Sequence, residues 1–267
     1  MWRKPLLIIA ILLLVTGIGF LLFPPLSNLI GQTRANSVID TYENNLDHII
    51  GENDDSGITA DNYEDALKNG EIDEAGHVIY ADGSTSTYTV TFKADLDRLY
   101  RDSKAYNASI FHHQGTVDTI NYEDAALNMS SYGLDNQYGY LSAPKIGLSL
   151  PVYLGANDYM MSFGAAHLNG TSLPLNDTDT NVAIAGHTGY IGRIFFDNIQ
   201  GLDIGDSVSF TNYWETIPYE VVDYKIVVPT DTEDLYIKDG RQLLTMITCI
   251  PDGYGDFDRY LVICERK

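Results

Sequence analysis

Leu244-Thr-Met-Ile-Thr-Cys249-Ile-Pro251 is the stretch on which the fold of this chain turns. It is an apolar, β-prone run that stops at a proline. The turn composition Asp252-Gly-Tyr-Gly255 follows, and Arg259-Tyr-Leu-Val-Ile-Cys264 opens a second apolar run. Both runs read as strands bounded by turn residues. On strand alternation Arg259, Leu261 and Ile263 share one face, while Tyr260, Val262 and Cys264 share the other. Cys249 therefore sits at a strand end beside a glycine-rich turn, with the part-exposure a nucleophilic thiol needs.

Working outward, Ala183-Ile-Ala-Gly-His187-Thr-Gly189 supplies an imidazole in a similar setting, after small apolar residues and before a loop. Taken singly, each group has an ordinary reading. A lone cysteine is more often structural, a lone histidine is usually satisfied, and Arg259 has Asp256 and Asp258 close by as surface ion-pair partners. Taken together they make a set. Acyl transfer by cysteine needs a partner that stabilises the thiolate and later moves a proton, which suits His187. A guanidinium stays charged and rigid, which suits Arg259 to a developing oxyanion or a substrate carbonyl.

The chain has 267 residues and a formal net charge of −21, from 37 acidic and 16 basic side chains. That length holds one good core plus an extension. The acidic excess repels nucleic acid phosphates and excludes that class of partner, while leaving room for amine-bearing ones. Leu6 to Phe23 is apolar apart from Thr16 and two glycines, close to the length that crosses a bilayer. Arg3 and Lys4 precede it, Pro24-Pro25 is expected to end it, and Phe-Pro-Pro-Leu is no small-residue cleavage site. The expectation is a retained single-pass anchor at the cell membrane, with the N-terminus cytoplasmic and everything after about residue 26 outside. No acidic residue precedes Asp40, so removing Arg3 and Lys4 from −21 leaves −23 on the outer portion. Cys249 and Cys264 are the only cysteines; if Arg259 faces the site, alternation turns Cys264 away from it, and Cys264 is expected as a small buried hydrophobe rather than a disulfide partner of Cys249.

Behind the anchor, Ser37–Ile50 has helical spacing, Asn62–Leu67 reads as a short helix capped by Asp61, and Ala94–Tyr106 as another. His77-Val-Ile-Tyr80, Asp82-Gly83 and Tyr88-Thr-Val-Thr-Phe92 read as a hairpin. From Tyr138 the texture becomes β-rich. Strands are expected at 138–143, 145–154, 182–185, 207–210, 217–228, 243–250 and 260–264, and a short helix at 191–199. Many short strands with short helices indicate a mainly β closed sheet or sandwich rather than a doubly wound fold. The chain divides into an anchor (1–26), a helical extension with the hairpin (27–135) and a β domain (136–267). His112-His113, if on a strand, would face opposite sides and make poor joint metal ligands. Asp177 and Asp179 stand at i, i+2 without the glycine and distal glutamate of a calcium loop. Nothing calls for a metal or a cofactor. Asn107-Ala-Ser and Asn169-Gly-Thr match glycosylation sequons.

These motifs together resemble the sortases, the membrane-anchored cysteine transpeptidases of Gram-positive bacteria. Thr245-Met-Ile-Thr-Cys249 followed by Arg259 is similar to that family's Thr-Leu-x-Thr-Cys…Arg pattern, with Met246 in place of leucine. Gly186-His187-Thr188-Gly189 fits its histidine segment. Gly139-Tyr-Leu-Ser-Ala-Pro-Lys-Ile146 and Leu150-Pro-Val-Tyr-Leu-Gly155 resemble its first strands. His167-Leu-Asn-Gly-Thr-Ser-Leu-Pro174 resembles class C, the pilin-polymerising group. The resemblance covers about residues 100–267. It implies a closed eight-stranded β-barrel with Cys249 as nucleophile, His187 as acid/base, Arg259 as oxyanion or substrate stabiliser, and Thr248 beside the substrate. It also implies a sorting-signal peptide similar to Leu-Pro-x-Thr-Gly and an amine acceptor, either a pilin lysine or a cell-wall peptide. Class C members carry an Asp-Pro-aromatic lid. Asp118-Thr-Ile120 stands at that place, without the proline or the ring. His167 has no assigned role. The rivals are a wall-anchoring sortase and a non-catalytic membrane-tethered adhesion or assembly module.

Overall fold

The computed structural model describes residues 3–48, 63–73, 77–89, 95–113, 122–190 and 193–267. The chain opens with one long helix, α1 (Arg3–His48). Pro24-Pro25 does not end it, and the helix expected from Ser37 is its continuation. Each proline removes one N–H from the helical ladder, but the turns beyond are held by packing on the β domain. Ile39 and Tyr42 are buried there, the Tyr42 hydroxyl donates to the Tyr138 carbonyl (3.4 Å), and Tyr140 donates to Glu43 (2.6 Å). The first part of α1 exposes Ile11 to Phe23 and carries no charged side chain over that stretch, so the helix is long and apolar enough to cross a membrane.

The helix α2 (Tyr63–Asn69) and the hairpin β1 (His77–Ile79) and β2 (Thr85–Thr89) follow. The helix α3 runs from Leu96 to His113, longer than its pattern suggested. His112 and His113 therefore end a helix and do not lie on a strand. α3 docks on the β domain through Leu99, which is fully buried, through Tyr138 donating to Ser103 (2.9 Å), and through a Lys104–Asp177 ion pair. Asn107 is spent on the same junction: its amide donates to the Leu173 carbonyl and its oxygen accepts from the Leu173 N–H. It is buried, and no glycan could be attached to it in this fold.

The β domain is a closed eight-stranded barrel. Its strands are β3 (Gln137–Ala143), β4 (Leu148–Leu154), β5 (Ala165–His167), β6 (Thr180–Ala185), β7 (Ser207–Thr211), β8 (Thr216–Val227), β9 (Gln242–Pro251) and β10 (Phe257–Arg266). A single-turn helix, α4 (Asp158–Met161), lies between β4 and β5. Around the wall the order is β10-β8-β7-β3-β4-β5-β6-β9, closing on β10. The pairs β4–β5 and β6–β9 are parallel, and the other barrel pairs are antiparallel. Lys145 and Ile146, expected in a strand, form a single 3₁₀ turn after Pro144. The helix expected at 191–199 does not form over the described residues 193–198; only Ile199–Gly201 makes a 3₁₀ turn.

Six consecutive residues of β9, Leu243 to Thr248, are buried, as expected of a strand covered on both faces. Inside the barrel Leu244 and Met246 pack with Val182, Ile184, Val262 and Cys264. Outside it, Ile247 packs with Ala183, Leu261 and Leu168, bordered by Tyr122 and Leu235. This outer apolar row leads toward His187, Cys249 and Arg259.

Candidate active site

Strand register places the three sequence-selected groups side by side. Cys249 of β9 is the direct partner of Arg259 of β10, so the two side chains leave the same face. On the other side β6 runs parallel to β9 with Ala185 opposite Ile247, and the Gly186 N–H donates to the Ile247 carbonyl (3.0 Å). Continuing that register by two residues brings His187 beside Cys249. The order across the surface is His187, Cys249, Arg259, on neighbouring segments about 5 Å apart. All three follow the outer row: Ala183 and Ala185 lead to His187, Ile247 to Cys249, and Leu261 to Arg259. That row is dry beneath and opens to solvent at Cys249, which is exposed, with His187 and Arg259 half-buried on either side.

Each group is held from its own side. The His187 ring stacks on Tyr190, centroids 5.4 Å apart at 17°, and is flanked by Phe195 at 6.3 Å. Asp197 fixes the loop by accepting from the Gly189 N–H (2.7 Å) and the Phe195 N–H (3.0 Å). Gly186 is obligatory for packing, because a Cβ there would lie 2.7 Å from the Phe196 ring. Arg259 directs its guanidinium to the carbonyls of Phe257 (3.3 Å) and Asp258 (3.5 Å), and not to the carboxylates of Asp256 or Asp258. The turn between β9 and β10 is organised by Asp252, whose carboxylate accepts from the N–H groups of Tyr254, Gly255 and Asp256. Those bonds hold its pKa below the usual carboxylate value.

Thr248, expected beside the substrate, lies on the opposite face of β9 from Cys249. It is 3 % exposed. Its hydroxyl donates to the Gly186 carbonyl (2.7 Å) and accepts from Thr188 (2.5 Å). These two bonds tie the strand of Cys249 to the loop of His187. Sequence reading missed this loop's other supports, Tyr190, Phe195 and Asp197, because they act through tertiary contacts that no spacing announces.

Asp118 and Ile120 lie outside the described residues. Asp177 is engaged by Lys104, and Asp179 accepts from the Gly240 N–H (2.5 Å). Cys249 and Cys264 are free thiols. Cys264 faces the barrel core opposite Leu244, and burial pushes its pKa up to about 12. His167 is fully buried on β5; its Nε2 lies 3.0 Å from the Ser172 carbonyl and 3.2 Å from that of Thr171, and its Nδ1 has no hydrogen-bond partner. Burial lowers its pKa to about 4, so it is neutral at physiological pH.

An exposed thiol thus lies between a histidine and an arginine on the rim of a closed eight-stranded barrel. A Sortase domain family model matches residues 141–267. The chain is 27% identical over 157 residues to Sortase D of Bacillus subtilis, spanning 58% of this chain and 76% of that protein. Among solved structures it is similar to sortase C-1 of Actinomyces oris, with 32% identity and a TM-score of 0.55, covering 64% of this chain and 98% of that one. It is also similar to the pilus-related sortase C of Group B Streptococcus, with 30% identity and a TM-score of 0.54, covering 64% and 89%. This chain belongs to the sortase family.

Proposed function

We propose that the chain is a membrane-anchored cysteine transpeptidase. It cleaves a sorting signal similar to Leu-Pro-x-Thr-Gly and passes the acyl group to an amine, in pilus subunit polymerisation. The observation that carries this reading is the register that pairs Cys249 with Arg259 and runs His187 alongside. The pilus-related name of the Group B Streptococcus structure supports the subclass. In the mechanism, the Cys249 thiolate attacks the threonine carbonyl carbon of the signal while Arg259 stabilises the oxyanion. The bond to glycine breaks, and His187 gives its proton to the departing amine. The resulting thioester is resolved by a second amine, which loses a proton to His187 and restores the thiolate. Thr248 acts as a positioning residue, through its bond to Gly186.

In this reading residues 1–26 are the anchor, 27–135 the extension and 136–267 the catalytic domain, which lies outside the cell. The test is cleavage of a quenched Leu-Pro-x-Thr-Gly peptide by the full-length protein, with and without an added amine. Cleavage that Cys249→Ala abolishes, with an amine-dependent ligated product, supports the proposal. Turnover unchanged by Cys249→Ala rejects it.

A further inference from the structure

Where α1 passes from its apolar stretch onto the barrel, a cleft of about 360 Å³ opens between the helix and the wall. It is lined by Arg34 of α1, by Leu150 and Tyr153 of β4, and by Phe163, Arg193 and Phe195 from the loops. Among the described residues no acidic side chain lines it. In a chain with 37 carboxylates and 16 basic groups, a cleft bearing two guanidinium groups is a local reversal of sign. We propose that this cleft holds an anionic phospholipid, its phosphate between Arg34 and Arg193 and the start of an acyl chain against Leu150, Phe163 and Phe195. The inference rests on the reading of α1 as the membrane anchor.

The height of the cleft fits. Leu26, Leu29 and Ile30 are exposed apolar side chains that extend the lipid-facing surface of α1 past the prolines. Arg34 follows Ile30 by four residues, about 6 Å along the axis. Helix side chains also lean toward the N-terminus, here toward the bilayer. The Arg34 guanidinium therefore falls within the headgroup layer, which adds roughly 5–7 Å to each side of the hydrocarbon core. The chemistry fits as well. Arg193 uses one N–H on the Ser162 carbonyl and lies 5.5 Å above the Phe163 ring, which fixes its plane; its guanidinium has five N–H donors, and among the described residues one bond is made. The volume equals about twelve waters' share of liquid, enough for a phosphate and several methylenes. An acidic domain is repelled by an anionic membrane surface, and this site would hold it there in one orientation. Phe195 also packs on Tyr190 and His187, so the occupied cleft adjoins the histidine loop.

The experiment reconstitutes the full-length protein into vesicles of phosphatidylcholine with a minor fraction of phosphatidylglycerol. Flotation is checked, and the lipids retained on the protein are counted by native mass spectrometry. The expected result is retention of phosphatidylglycerol roughly tenfold above its share of the vesicles. Arg34→Gln should reduce that about threefold, and Arg34→Gln with Arg193→Gln should bring it to parity. Arg34 is an exposed helix residue, so its single variant reads the site even if the double variant loosens the Ser162 loop. Equal retention of both lipids by the wild type overturns the inference, as does a preference that survives the double variant. Displacement of the lipid by free glycerol phosphate would assign the site to a soluble ligand and also overturn it. Failure to float with any vesicle would refute the anchor itself, a distinct result.

Discussion

Replacing Thr248 by valine removes one hydroxyl and keeps the branched shape that β9 packs. Two bonds are lost: the donation to the Gly186 carbonyl at 2.7 Å and the acceptance from Thr188 at 2.5 Å. Thr188 is exposed and can turn to water, but Gly186 is buried and its carbonyl loses that partner. An unsatisfied buried acceptor costs about 1–3 kcal/mol, so a stability loss near 2 kcal/mol is expected by denaturant titration. The larger effect falls on turnover. Gly186 immediately precedes His187, and a shift on the order of 1 Å in a proton-transfer group can cost about 100-fold. In the peptide-cleavage assay kcat should fall roughly 10- to 100-fold while KM stays within about twofold, since Thr248 is buried on the face opposite Cys249. Thr248→Ser keeps the hydroxyl and should return kcat to within roughly threefold of wild type. A valine variant with wild-type kcat, or a serine variant as impaired as the valine one, would refute the positioning role.

Other outcomes follow from the same geometry. His167 has a folded pKa of about 4 against 6.5 in the free side chain, so between those values the unfolded chain binds a proton that the folded chain does not. Stability should be complete above pH 6.5 and fall by about 3 kcal/mol as pH drops to 4, and denaturant titrations of wild type and His167→Gln should diverge only in that window. Iodoacetamide at pH 8 should add one group, on Cys249, because the Cys264 thiol is buried and held protonated; intact-mass analysis showing two groups on folded protein would contradict this. Gly186→Ala drives a methyl against the buried Phe196 ring and should cost about 1–3 kcal/mol by thermal or denaturant unfolding, with a parallel loss of turnover.

The strands carrying Cys249 and Arg259 were legible in the sequence because β9 and β10 are long runs of β-prone residues joined by a short turn. Their partnership with His187 came from the family resemblance and the needs of the chemistry, since the parallel β6–β9 register is a long-range contact that local pattern does not encode. Three other elements were obscured for physical reasons. Pro24-Pro25 carries a stop signal, yet α1 continues because the barrel holds its later turns through Ile39 and Tyr42. β5 has three residues, Ala165 to His167, too few to show a period; its pairing with β4 and β6 defines it. The segment at 193–199 has helical apolar spacing, but Phe195, Phe196 and Ile199 are drawn separately into the core while Asp197 caps the loop.

The measurement closest to the central claim is the mass and location of the acyl group during turnover. The full-length protein, mixed with a sorting peptide and quenched in acid, should carry the peptide minus its glycine-terminal fragment. The group should be attached as a thioester to Cys249, be released by hydroxylamine, and fall by about 100-fold or more in His187→Ala and Arg259→Ala. An adduct on any other residue, or peptide cleavage that persists in Cys249→Ala, would contradict the account.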